Sequence, residues 1–179
     1  MALTADEVFI AGGGHVYVAD VGTTEPTDTT TPWGVGWAEL GYTTEDGVTI
    51  TPSQTITDVP AWQSRIPVRR IVTGENLEVQ FSLLQWNEDT LSLAFRGGTW
   101  DGDVYTPGTA GVVDERALGI EAIDGDKIAR VIVPRGMVTT VGGITMTRTG
   151  ANPIPITFSS LAVEGEAEFT LIADWASAS

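Results

Sequence analysis

A chain of 179 residues has the length of one globular domain with its own core, and no second independent domain is expected. Its formal net charge of −15 argues against a phosphate-gripping surface, because nucleic-acid binders draw affinity from Lys and Arg that release counterions. The lack of cysteine excludes disulfides, thiolate nucleophiles, iron–sulfur clusters and thiolate zinc sites, so stability must come from packing.

Thr, Val and Ile are plentiful, and 21 glycines and 9 prolines punctuate them, so the chain reads as mainly β. The start, "MALTADEVFI", lacks the basic residues and long apolar stretch of a secretion signal. No run approaches the roughly 18 apolar residues of a membrane span, and synthesis in the cytoplasm is expected. In "FIAGGGHVYV" three glycines precede a strand; a phosphate loop needs a following helix and a Lys, so the glycines are read as a sharp turn or a close backbone approach. "HVYVAD" alternates from His15 as a strand does. "GTTEPTDTTTPWGVG", 22–36, has no periodicity and is expected to be a long loop or mobile insertion.

Strands are expected near 36–41 and 47–51. Residues 43–74 are read as a long protruding loop or arm: a possible hairpin, "DGVTITPSQTITDV", runs into Trp62 and an arginine cluster, with a strand near 63–72. Pro52, Pro60 and Pro67 speak against a central strand there. "NLEVQFSLL" places Leu77, Val79, Phe81 and Leu83 on one face, so this strand is half buried. One short helix is predicted over about 87–96: Asn87 is a good N-cap, Glu88 and Asp89 suit the positive end of the dipole, Arg96 falls in the last turn and Gly97 closes it. Trp86 and Leu91 match a hydrophobic staple, and Leu91, Ala94 and Phe95 form a stripe that can lie on a sheet. Asp124-Gly125 suits a type I′ hairpin turn between strands near 116–123 and 127–134, and further strands are expected near 137–147, 154–163 and 166–173.

No catalytic residue, cofactor or metal ligand is assigned. His15 lies near Asp20, but no G-x-S-x-G or other nucleophile spacing accompanies it. The acidic groups Asp101/Asp103, Asp124/Asp126 and Glu164/Glu166/Glu168 have the chemistry for calcium or for sugar hydrolysis, yet turns and a solvated strand face account for them. Tryptophans 33, 37, 62, 86, 100 and 175 fit a sugar platform less well than they fit core and interface anchors.

The order of parts across 37–98, with the "LG" and "DGVT" stretch, the "AWQ" arm, the "VQFSLLQ" strand and the "NEDTLSLAF" helix with its Gly exit, resembles the major tail proteins of long-tailed, siphovirus-type phages, especially those of actinobacterial hosts. The likeness implies a single tail-tube domain over 1–179: a β-sandwich or barrel with one flanking helix and a protruding arm. It implies a structural virion protein whose hexameric rings stack into the tail tube, with an arm reaching the adjacent ring. Expected partners are other copies of the chain and the tape measure, tail terminator and tail tip proteins. DNA would pass through the lumen without specific binding, along a wall whose carboxylates repel it.

Charge is unevenly spread. Residues 1–64 hold nine acids and no Lys or Arg, 65–70 hold Arg65, Arg69 and Arg70, and 71–179 hold fifteen acids and six cations. A basic arm on an acidic subunit suits a contact with another copy, and equally a local surface cluster of small energetic worth. The resemblance assigns the first, with Trp62 as apolar anchor. A β-sandwich binding module for carbohydrate or host recognition is the alternative, favoured if tryptophans share one flat face.

Overall fold

The computed structural model describes residues 8–108, 113–165 and 167–174. Its elements are β1 (Gly13–Asp20), β2 (Ala38–Glu39), β3 (Thr43–Ala61), β4 (Ser64–Leu83), α1 (Glu88–Ala94), β5 (Gly98–Asp101), β6 (Val104–Pro107), β7 (Glu115–Asp124), β8 (Lys127–Val141), β9 (Ile154–Ser160) and β10 (Thr170–Ala173). One antiparallel sheet runs β2-β1-β7-β8-β9-β4-β3 with β10 added to β8, and β5–β6 form a separate hairpin.

Strand β8 joins two leaves. Along one edge it pairs with β10 over Ala129–Ile132 and then with β9 from Gly136 to Val141, while its other edge meets β7. The sequence suggested two strands here, near 127–134 and 137–147; the structure carries one strand through to Val141. Gly136 permits it, since a side chain there would overlap the Phe158 ring and the Ser159 carbonyl. The leaves close on each other as a β-sandwich: Val16, Val18, Leu118 and Ile120 from one pack in a single cluster with Val79, Phe81, Ile156 and Phe158 from the other. The alternation in "NLEVQFSLL" is realised, with Leu77, Val79, Phe81 and Leu83 all buried. Each such side chain contributes about 1.5–3 kcal/mol relative to exposure.

The helix begins at Asn87, whose Oδ1 accepts from the Thr90 N–H at 2.9 Å while Thr90 Oγ1 accepts from the Asn87 N–H, a reciprocal capping box. It ends at Ala94, two residues earlier than expected. Phe95 is the C-cap, Arg96 takes φ +60°, and the Gly97 N–H reaches the Ser92 carbonyl at 2.7 Å while the Arg96 N–H reaches Leu93 O at 3.3 Å, a Schellman closure with Arg rather than Gly in the left-handed position. The β7–β8 turn also differs in detail. Its two-residue loop is Gly125-Asp126, of which only Gly125 has positive φ, the pattern of a II′ rather than a I′ turn.

Candidate assembly interface

β3 and β4 form one hairpin whose base belongs to the sandwich and whose outer part does not. β9 flanks β4 only over Glu78–Leu83, and beyond that β3 and β4 pair only with each other. Every residue from Thr49 to Asp58 and from Val68 to Glu75 is exposed. The protruding arm is thus a two-stranded ribbon. β3 is the edge of the whole sheet, which accommodates Pro52 and Pro60, and Pro67 falls in the ribbon, away from β9.

A bulge decides which side chains share a face. Val48/Phe81, Ile50/Val79 and Pro52/Leu77 are opposed, and carry the core-facing side outward to Gln54/Glu75. The register slips between Thr55/Gly74 and Ile56/Val72, leaving Thr73 as the extra residue on β4. Beyond the bulge Ile56/Val72 and Asp58/Arg70 continue that face, while Thr57/Ile71 and Val59/Arg69 take the other. The core-facing side therefore continues along the arm as alternating pairs, the hydrogen-bonded Gln54/Glu75, the exposed Ile56/Val72 and the ion-paired Asp58/Arg70.

Trp62, at the turn, is 98% exposed, and Ile66, Val68, Ile71 and Val72 are exposed as well. Isolated apolar residues on a surface are ordinary; these five lie on one thin ribbon, Ile71 on the face opposite Val72. The three arginines do not form one patch. Arg70 Nε bonds Asp58 Oδ1 at 2.9 Å across the hairpin, an exposed pair, whereas Arg69 lies opposite Val59 on the reverse face. Among the described residues neither Arg65 nor Arg69 forms an ion pair.

Of the residues predicted to hold the helix, Trp86 is partly exposed and donates through Nε1 to the Asn152 carbonyl at 2.9 Å. Leu91 is partly buried against the core, and Phe95 instead meets Tyr105 of β6, with ring centroids 5.9 Å apart. The residues most deeply buried on α1 are Thr90, Leu93 and Ala94. Leu93 was missed because the stripe was traced along Leu91, Ala94 and Phe95, one step round the helix.

Sequence reasoning also missed a buried polar cluster on the opposite face of the first leaf. Glu121 and Arg130 are cross-strand neighbours on β7 and β8; Arg130 Nε donates to Glu121 Oε2 at 2.6 Å, and both are buried. Arg130 also donates to the carbonyls of Asp28 and Thr31 at 2.7 and 2.6 Å, and its guanidinium lies over Trp33, which donates to Glu121 Oε2 at 3.1 Å. Trp33 stacks on Tyr17, and a side chain at Gly119 would overlap its ring. Residues 22–36 are thereby strapped across the sheet. Four hydrogen bonds from the N–H and hydroxyl groups of Thr31 and Thr30, the Thr31 N–H foremost, hold the Asp28 carboxyl well below the usual carboxylate range. Burial, and then the Glu121 and Glu39 charges, push the Tyr17 phenol up.

His15 Nδ1 sits 2.7 Å from Glu39 Oε1, a pair at the sheet edge. Asp101/Asp103 and Asp124/Asp126 flank two hairpin turns, each with a glycine of positive φ between them. Glu164 and Glu168 are described and Glu166 lies outside the described residues, as does Trp175. Among the described residues no group of three or more His, Asp or Glu is placed to hold a metal ion. The five described tryptophans do not share a flat face: Trp33 and Trp37 pack edge to face, Trp62 caps the arm, Trp86 precedes the helix and Trp100 lies on β5 beside Tyr105. No described helix is long and apolar enough to cross a membrane.

A family model described as phage tail tube protein matches residues 1–178. Among solved structures, a chain from the virion of a native gene transfer agent particle is similar over 96% of this chain and 98% of its own, at 12% identity and a TM-score of 0.43. No curated protein matches.

Proposed function

The chain belongs to the phage tail tube protein family, a structural component of the virion tail, and on that premise we propose that it polymerises as hexameric rings that stack into a tube for genome passage, with the β3–β4 arm as the element that holds a neighbouring subunit. The observation that carries this reading is the state of the arm: Trp62, Ile66 and Val68 are exposed, and Arg65 and Arg69 form no ion pair among the described residues. Apolar area of that kind is stabilising only once water is removed, and Arg is favoured where a planar fork meets carboxylates across an interface.

In this reading the subunit is a scaffold rather than a catalyst, and its tail is of the siphovirus type, closed by terminator and tip proteins around a tape measure. A net charge of −15 per subunit favours a lumen that repels phosphates, so that DNA passes without adhering. The test is assembly. Trp62→Ala and Arg69→Glu should each leave a folded subunit and abolish or shorten the tubes seen by electron microscopy; normal tubes from both variants would remove the arm from the contact.

A further inference from the structure

A cleft of about 750 Å³ opens between β1, the base of β3 and the inner side of β7 and β8. Val16, Ile120 and Val131 form one wall, in register across three strands, and Val48 and Ile50 of the hairpin base form the other. The wall is the core-facing side of the first leaf, with Val16 and Ile120 buried at its floor and Ala122, Ala129 and Val131 partly open. No Lys or Arg lines the cleft; its titratable groups include His15, Glu39, Glu45 and Glu121, of which Glu121 is taken by Arg130 and Glu39 by His15.

We propose that this cleft receives the hairpin tip of a second copy of the chain, an inference that rests on the arm being a subunit contact. The two surfaces are complementary in kind. The tip offers Trp62, Ile66 and Val68 flanked by Arg65 and Arg69; the cleft offers partly open aliphatic groups with exposed Glu45 on its rim. Its volume falls within the range of about 300–1,000 Å³ that encloses a drug-sized ligand, enough for an indole and adjoining aliphatic groups.

Geometry forbids self-insertion. Ile50 lines the cleft, and Trp62 stands twelve residues farther along the same strand and turn, about 40 Å at roughly 3.3 Å per residue. Donor and acceptor thus lie at opposite ends of one stiff element. A contact between unlike surfaces leaves each added subunit with a free tip and a free cleft, so it propagates in rows, as a stacked assembly requires.

The chain has no cysteine, so one engineered thiol reports cleanly. Gln63→Cys puts it beside Trp62 at the exposed turn and leaves Trp62 and the arginines in place. The variant is labelled with a benzophenone maleimide, mixed as a minor fraction with isotopically heavy wild-type subunits, assembled into tubes and irradiated. Cross-links between light and heavy chains are expected on peptides spanning 11–16, 41–50 and 120–131, enriched about tenfold over unassembled subunits, which lack the effective concentration of the tube. Intermolecular cross-links that fall elsewhere, on 86–107 or on another tip, overturn the cleft and leave the arm contact standing. Tubes that contain the labelled chain but yield no intermolecular cross-link overturn both. If labelled subunits are excluded from tubes, Glu45→Cys on the rim reads the same contact in reverse, with cross-links expected on 59–70 and absence there overturning the proposal.

Discussion

On the face covered by residues 22–36, Arg130 is buried, bonds Glu121 and two backbone carbonyls, and lies over Trp33. On the arm, Arg65 and Arg69 have no ion-pair partner among the described residues, and Trp62 is 98% exposed. The same residue types are satisfied within the subunit in one region and left open in the other. A buried, fully bonded Arg–Glu pair fixes a loop to a sheet and contributes nothing outward. In the proposed reading, the open Arg and Trp of the ribbon find their partners outside the subunit. One region folds the protein and the other, in the proposed reading, assembles it, so each can be broken independently.

The largest effect is expected at the covered face. Arg130→Ala leaves Glu121 buried and uncompensated and should cost about 3–5 kcal/mol of unfolding free energy in denaturant titrations. Arg130→Met combined with Glu121→Leu should recover most of that loss, because removing both charges avoids the stranded one. A smaller effect follows from Asp28. A carboxyl whose pKa is depressed by folding contributes stability that is present above its unfolded value and lost as pH falls through its folded value. The strap over 22–36 should therefore hold at pH 5 and loosen only below about 3.9, the ordinary aspartate value. Trp33 and Trp37 fluorescence followed through an acid titration checks this, and Asp28→Asn should flatten the change.

The arm sits at the small end of the stability scale. Asp58→Ala, which frees Arg70 from an exposed pair, should change subunit stability by about 0.2–1 kcal/mol. Trp62→Ala should change it by less than about 0.5 kcal/mol, since an exposed side chain has little to lose on truncation, while assembly fails. A Trp62→Ala subunit that melts several degrees lower would mean that the tip packs within its own subunit, and would erase the contrast between the regions.

The sequence was most legible where a local rule acts alone. The period-two pattern at Leu77–Leu83 and the cap at Asn87 depend on nearest neighbours, and both are realised. Asp-Gly-Asp occurs twice and makes a two-residue hairpin turn both times, yet only the copy at 124–126 was read as one; the strands beside Gly102 are four residues each and give too short a pattern to notice. Pairing between distant segments left no local signal. Glu121 and Arg130 become partners through the β7–β8 register, and Arg130 reaches Asp28 and Thr31 across 102 and 99 residues of sequence. The bulge at Thr73 was equally hidden, although it sets which of Arg69 and Arg70, adjacent on the strand and so on opposite faces, continues the core-facing side. The charge count in 65–70 therefore located the arm's cations without showing that one of them is spent inside the hairpin.

The central claim is that the arm finds its partner in another subunit, and amide hydrogen exchange tests it most directly. In the isolated subunit, amides of 52–60 and 64–74 should exchange quickly, since a two-stranded ribbon with no third layer opens at little cost, while those of β4 beside β9 stay protected. In assembled tubes the arm amides should slow by about a hundredfold or more as the neighbouring subunit covers them. Arm exchange that is equally fast in tubes and in isolated subunits would contradict the account.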